Sequence, residues 1–480
     1  MPEFAAAEGA VRAALDAGAR YADARVMHAR YESMSAQNGE IEDLTQRDTL
    51  GIGVRALVGS SWGFFATPDL DDAPVRAAGA RATDIARASA RVPGPDLDLV
   101  ETEVRTDSWA SACAEDPLSV SLSDKGDLLV GVTETMRAAG VPLASALYQI
   151  WDTAKWFVSS EGHRIDQRIR ECGAGMHCLA IGAAETQRRS YPSFRGQYGT
   201  SGGELVRALD LPAHAERIAA EATELLTAPP CPAGQTDLIL SSEQMSLQIH
   251  ESVGHAVELD RILGWEAGYA GTSWLDLARL GELRYGSDLM TITADPTRPG
   301  ALGSFGYDDE GTPARAVDIV RDGIWVGVLA GRDSAAIAGL DYAGAVRGDG
   351  YARLPMVRMT NVGLLPGPDS TESMIAATAE GVLMEHNRSW SIDDKRRNFQ
   401  FGCEIGWEIK DGQRGRMLRN PTYTGIGPEF WASMDMLGNA AESIDWGTPN
   451  CGKGQPGQTG HTGHPAVPAR FRNVRVGVRG

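Results

Sequence analysis

Closely paired cysteines are missing from this chain. Its six cysteines, at positions 113, 172, 178, 231, 403 and 451, are scattered through 480 residues. None forms a Cys-x-x-Cys zinc site, so they read as reduced thiols, any of them free to serve as a metal ligand. Long apolar runs are missing as well. No stretch approaches the ~18 residues of a membrane span. The opening Met1-Pro2-Glu3-Phe4 has neither the basic nor the apolar character of a leader, so a cytoplasmic protein with no membrane partner is expected. Positive charge is in short supply: 45 Lys and Arg against 64 Asp and Glu leave a formal charge of −19. Such a surface repels nucleic-acid phosphate, which excludes nucleic acid as a main partner. No internal repeat at fixed period is visible.

What remains is the composition of an ordinary soluble enzyme, 42% hydrophobic and 23% charged, in a chain too long for a single core. An Ala-rich helical pattern over residues 3 to 18 precedes an extended segment from Tyr21 to Met27. Asn38-Gly39 marks a hairpin turn, and Leu50 to Val58 alternates as a half-buried strand does, with Trp62 to Phe65 continuing the sheet. Helical spacing returns at 70 to 90, before a Pro-Gly-Pro interruption at 93 to 95, and again at 122 to 139 and 203 to 226. Between the last two, Leu143 to Ile150, Trp156 to Val158 and Arg170 to Ile181 read as strands. Three prolines in four residues, Pro229, Pro230 and Pro232, exclude helix and mark a linker. Beyond it, Asp237 to Leu240 reads as a strand that leads into a helix capped by Ser241 or Ser242. Short alternating runs follow, such as Ala316 to Val320 and Trp325 to Leu329 about an Arg-Asp-Gly turn, with one helix at about 370 to 385. The expectation is an α+β protein of two domains. Residues 1–228 form a mixed domain of helices on a largely antiparallel sheet, 229–234 a linker, and 235–480 a strand-rich domain.

The helix after the linker carries His250-Glu251-Ser252-Val253-Gly254-His255. Two histidines four apart in sequence lie about 40° apart around a regular helix, as in the familiar zinc-protease spacing, whereas these two, five apart, lie about 140° apart. One ion can receive both rings only if the helix widens or ends between them, for example through a π-type bulge. Gly254 is the residue type that tolerates such a distortion. Zinc hydrolysis needs three protein ligands, a position open to water, and a carboxylate to take up a proton. His250 and His255 supply two ligands and Glu251 the carboxylate. For the third, Cys451, His461, His464, Glu258, Asp308, Asp309, Cys403 and His386 are all candidates. Cys451 lies in the glycine-rich Asn450-Cys451-Gly452-Lys453-Gly454, where Lys453 could favour the thiolate. His461 and His464 lie in a Gly/Thr/Pro tail that reads more readily as a solvated loop.

Four blocks, in order, carry a resemblance. They are His250 to Asp260 (HESVGHAVELD), Gly306 to Pro313 (GYDDEGTP), Leu354 to Asn361 (LPMVRMTN) and Cys451 to Gln455 (CGKGQ). Together they resemble the TldD branch of the TldD/PmbA metallopeptidase family, and Tyr21-Ala22-Asp23-Ala24-Arg25, Gln37-Asn38-Gly39 and Gly53-Val54-Arg55 extend the likeness over nearly the full length. The resemblance implies a peptidase acting on flexible peptides, with one zinc per catalytic subunit. It implies a two-subunit assembly, either a homodimer or a heterodimer with a PmbA/TldE-like paralogue that lacks the motif. It also implies His250, His255 and Cys451 as ligands with Glu251 as catalytic base. Extended substrate would pair with a sheet edge, which reads backbone and tolerates varied side chains. Two other functions fit the same residues, hydrolysis of a small amide or peptidyl conjugate and peptide binding by a non-catalytic subunit. Asp308, Asp309, Arg358 and Asn361 could each line a cleft or serve the interior.

Overall fold

A computed structural model describes residues 1–92, 94–269 and 271–477; Pro93, the first residue of the expected Pro-Gly-Pro interruption, lies outside them. The N-terminal half is built on a sheet with strand order Ser61–Thr67, Glu40–Val58, Tyr21–Gln37, Leu143–Ser159, Arg164–Ile181, Thr106–Ala110. All neighbours are antiparallel except the last pair. The hairpin turn falls at Asn38 and Gly39, with φ of 53° and 89°. This left-handed pair suits the strand twist and favours these two residue types. The strands run much further than their apolar segments suggest. Glu40 to Thr49 is exposed along most of its length, yet it stays in the ladder because its neighbour Tyr21–Gln37 pairs with it throughout.

Helices Pro2–Asp16 and Asp72–Ser89 pack their alanines against Ala24, Val26, Ile52 and Val54. Leu122–Ala138 and Leu211–Leu225 cover Met34, Ala146, Tyr148 and Met176. The expected helix over 203 to 226 is in fact two, Gly203–Leu209 and Leu211–Leu225, hinged at Asp210 with φ 45°. Pro212, in the first turn of the second helix, cannot supply the backbone donor that an unbroken helix requires.

In the C-terminal half five strands form a closed ring. Glu380–Ile392 pairs in parallel with Gly234–Leu240, which pairs with Ala469–Val476, then Thr422–Ile426, then Asn398–Lys410, and the last pairs back to Glu380–Ile392. Closure explains the misplaced helix at 370 to 385. Only Thr371–Ala376 is helical. Val382, Leu383 and Met384 are buried in a ring strand, where pairing on both sides outweighs a helical apolar spacing. The Asp322-Gly323 turn joins Val317–Arg321 to a strand only two residues long, Ile324–Trp325. Residues 458 to 466 form no loose tail, since Gln458–Ala466 is a buried strand paired with Ile444–Lys453.

The two halves are joined by buried ions. Arg55 donates to Asp23 at 2.6 Å within its own sheet and to Glu310 of the C-terminal half at 3.0 Å. Asp309 accepts from Arg25, from Lys155 at 2.8 Å and from the Gly348 amide at 2.7 Å. Burial pushes the Asp309 carboxyl up, but Arg25 and Lys155 outweigh it and hold the group below its ordinary range. Replacing Asp309 by alanine therefore leaves two buried cations without their partner. The expected cost is about 3–5 kcal/mol, read as a lowered midpoint in urea unfolding of Asp309→Ala; an unchanged midpoint would show that the pairs carry no net stability.

Candidate metal centre

The Ser241 hydroxyl caps helix Ser242–Ile249 by accepting the Gln244 amide at 3.4 Å. The helix does not stop at Ile249 but continues as a π-turn over His250–Gly254, in which the His255 amide donates to the His250 carbonyl at 3.1 Å. This bond, one residue longer than an α-helical one, is the widening that the histidine spacing requires. The two imidazoles consequently meet, with centroids 4.9 Å apart and planes at 84°. Gly254 is there for a different reason from the one its residue type suggests. Its φ lies outside the left-handed region, and a Cβ at this position would come within 2.1 Å of the Met359 sulfur, so close packing demands the glycine.

Cys451 reaches these rings from a strand about two hundred residues away. In the pair Ile444–Lys453 and Gln458–Ala466 the register slips between Thr448 and Cys451, and the thiol lies 3.6 Å from His255 Nε2. Ligand atoms of His250, His255 and Cys451 all fall within 4.8 Å of one another, and all three residues are buried. Among the described residues this is the one group of three or more His, Cys, Asp or Glu donors so placed.

Hydrogen bonds set the protonation of both rings. Glu258 Oε2 lies 2.9 Å from His255 Nδ1, so a carboxylate accepts that proton and leaves Nε2 with its lone pair facing the sulfur. His250 is set by a relay. The Val362 carbonyl can only accept, so His464 Nδ1, at 2.9 Å, must donate to it. His464 Nε2 is then an acceptor, and His250 Nδ1, at 2.7 Å, must carry the proton between them, which frees His250 Nε2 for a ligand. Burial, reinforced by His464 and His255, pushes the His250 pKa well below its ordinary value. Burial brings His255 down to about 3 against the pull of Glu258. Both rings are therefore neutral donors at physiological pH.

Glu251 lies inside the π-turn, buried, with Oε2 accepting from Arg396 Nη1 at 2.9 Å. Burial pushes its pKa up, opposed by Arg396, Arg195, Arg261 and Trp390. For Cys451, burial likewise pushes the thiol up, and Arg358 opposes this more strongly than Lys453 does. Lys453 thus favours the thiolate as expected, but less strongly than Arg358. Its ammonium binds Asp260 at 2.8 Å, the Val357 carbonyl at 2.6 Å and Glu258 at 3.2 Å.

The other candidate ligands have other work. His461 pairs with Glu171 at 2.8 Å and meets Trp151 edge-on. Asp308 closes a turn by accepting from the Glu310, Thr312 and Val346 amides. Asp309 joins the halves, Cys403 is buried in the ring, and His386, half-buried on strand Glu380–Ile392, is not among the converging donors. Arg358 donates to the Cys451 carbonyl, which fixes the ligand strand. Asn361 is an interior hydrogen-bonding residue, bound to Gly303, Asp295 and Ser304. Arg396 and Trp390 had no signal in the motif spacing, being far away in the chain. His255-x-x-Glu258 did offer one, since residues three apart share a helix face.

Two neutral imidazoles and a thiol form a nitrogen and sulfur donor set of the kind zinc prefers, and three protein ligands leave one tetrahedral position open. Zinc–sulfur and zinc–nitrogen bonds of about 2.3 and 2.05 Å at a tetrahedral angle put sulfur and nitrogen roughly 3.6 Å apart, which is the Cys451–His255 separation.

Comparison with known proteins places the chain in a class. Family models described as PmbA/TldA metallopeptidase C-terminal domain and PmbA/TldA metallopeptidase domain 1 match residues 233–477 and 22–90. The chain is 27% identical to a metalloprotease of Methanocaldococcus jannaschii over 84% of its own length and 86% of the relative's. It is 26% identical to a TldD homologue metalloprotease of Haemophilus influenzae over 90% and 88%. Its fold superimposes on the crystal structure of TldE from Thermococcus kodakarensis with a TM-score of 0.72 at 16% identity, covering 98% and 99% of the two chains. The family models and the two sequence relatives are metallopeptidases by name. The chain belongs to the PmbA/TldD metallopeptidase family, and its likeness to TldD homologues is consistent with the TldD branch.

Metal analysis of purified variants tests the trio. His250→Ala, His255→Ala and Cys451→Ala are each expected to lose bound metal; loss in the histidine variants alone would remove Cys451 from the site. His464→Ala is expected to retain metal about 10–100-fold more weakly in competition with a chelator, because it orients a ring of the trio without belonging to the trio.

Proposed function

We propose that the chain is a zinc-dependent peptidase that hydrolyses peptide bonds in flexible or unfolded peptides, with residues 1–228 and 235–480 as its two domains. One observation carries this reading. A buried carboxylate, Glu251, stands beside three converging N and S donors without being one of them, and a purely structural zinc site has no use for such a group. His250, His255 and Cys451 would hold one zinc per chain. When bound, the ion supplies Lewis acidity, lowering the pKa of water and polarising a carbonyl. Glu251 accepts the proton of the attacking water and returns it to the leaving amine. Arg396 holds that carboxylate in place, and Glu258 and His464 fix the two imidazoles.

The setting suits an extended substrate. Cavities of about 550 and 700 Å³ share Trp151 and Pro449 as walls on either side of the Cys451 hairpin, sizes usual for small-ligand and peptide clefts. They have no room for a folded domain. Pairing of an extended chain with a sheet edge would give the backbone-directed, sequence-tolerant recognition that such substrates need.

Glu251→Gln is expected to keep its zinc and to lose peptide hydrolysis by about 10²–10⁴-fold; full hydrolysis with zinc still bound would end this mechanism. The pH profile provides a second check. Glu251 must be ionised to act as base, and Arg396 stabilises the ionised form, so Arg396→Gln raises the Glu251 pKa further. The acid limb of kcat/KM should then move to higher pH, and an unmoved limb would assign it to another group. We also propose a two-subunit assembly, a homodimer or a heterodimer with a PmbA/TldE-like paralogue. The expected outcome of sizing chromatography, alone or with the paralogue, is about twice the 51.2 kDa of one chain, and a monomer under both conditions would contradict it.

A further inference from the structure

The N-terminal half reaches the metal centre through one short turn. Between strands Thr186–Tyr191 and Gln197–Gly199, the Ser193 hydroxyl donates to the Gly196 carbonyl at 2.6 Å and accepts the Arg195 amide at 3.2 Å. Arg188 braces the same turn by donating to the Phe194 carbonyl at 3.0 Å. The turn presents Phe194 and Arg195 to the C-terminal half. Phe194 meets Trp390 with ring centroids 5.8 Å apart, and the Arg195 guanidinium lies over both rings, 4.6 Å from Phe194 and 5.0 Å from Trp390. Trp390 in turn favours the ionised form of Glu251.

Packed beside both aromatic rings, the guanidinium makes no hydrogen bond or ion pair among the described residues. The acidic groups acting on it most strongly are Glu251 and then Cys451, but Glu251 is already engaged by Arg396 at 2.9 Å. Arg195 also lines the cavity of about 700 Å³ together with Tyr198, Pro449 and Asn450, the last being the residue before Cys451. Two arginines thus face one carboxylate and one sulfur, and the neutral imidazoles add no charge. A divalent ion at the trio makes the balance clearly positive, so an anionic group is the favoured occupant.

We infer that Arg195 binds a carboxylate of the peptide substrate beside the scissile bond, either the C-terminal α-carboxylate or an Asp or Glu side chain. A planar fork packed beside aromatic rings, with no hydrogen bond or ion pair among the described residues, has its donors available for the two oxygens of one carboxylate. The inference rests on the peptidase reading and narrows it to acidic peptides or to peptides held by their C-terminus.

The test is calorimetric binding to the full-length Glu251→Gln chain, which is expected not to turn substrate over. Three peptides of one neutral sequence are compared: free C-terminus, C-terminal amide, and C-terminal amide with one internal Glu. One of the two carboxylate-bearing peptides is expected to bind about 10–100-fold more tightly than the neutral amide, and which one identifies the source of the carboxylate. Added Arg195→Met should bring that preference to within about twofold, and added Arg195→Lys should keep part of it, both at unchanged metal content. Equal affinity for all three peptides, or a preference that survives Arg195→Met, overturns the inference and leaves the peptidase reading standing. Failure to bind any of the three overturns that reading itself.

Discussion

One buried carboxylate ties the two parts of the site together. Glu258 accepts from His255 Nδ1 at 2.9 Å on its own turn of chain, from Arg261 at 3.4 Å, and from Lys453 at 3.2 Å on the strand that carries Cys451. Burial pushes it toward the neutral form, and Lys453, His255 and Arg261 together hold it well below the ordinary carboxylate range. A charge so placed is tolerable only while its partners stay where they are. The orientation of the His255 ring and the position of the strand that carries Cys451 are therefore linked through a single group. The ring cannot turn, and the strand cannot withdraw, without costing Glu258 one of its buried partners.

The same economy governs how the halves meet. Asp23, Arg25 and Arg55, which stand in the weaker N-terminal blocks of the family resemblance, face Asp309 and Glu310 of a stronger C-terminal one. These residues touch none of the metal-facing atoms. Their effect is to hold the first sheet against the C-terminal half, so that Trp151 packs on His461 of the Cys451 hairpin and the turn bearing Phe194 and Arg195 lies over Trp390. Motif residues that look catalytic because they are charged and clustered act here through position.

Much of this was legible in the sequence, and the reasons differ from element to element. The Asn38-Gly39 turn and the capped helix after the linker depend on local chemistry, and local chemistry is what a sequence states most directly. The π-turn could be reasoned out because two rings 140° apart on a regular helix could not converge on one ion otherwise. Where tertiary pairing decides, reading by periodicity fails. Val382, Leu383 and Met384 fall in the run read as a helix, but they close a ring of strands. His464 stands in a run of Gly, Thr and Pro that reads as a loop, but it is buried by a partner strand and bonded to His250. Arg396 could not be placed beside Glu251 by any spacing rule, since 145 residues separate them and only the closed ring brings them together.

The convergence of Cys451 on the histidines depends on a defect in a ladder. A regular strand alternates its side chains between two faces, so Thr448 and Cys451, three apart, would point to opposite sides. The register slip between them takes up the odd residue, and both side chains are buried, as is Lys453 two positions further on. Bulges re-aim side chains in this way at the cost of leaving residues out of the ladder. The residues left out here are Pro449, which has no amide to lose, and Asn450, which is exposed. Both become cavity walls. One extra residue in a strand thus turns the thiol inward toward His255 and pushes its neighbours outward to shape the approach to it, so ligand geometry and the adjoining cleft cannot vary independently in this fold.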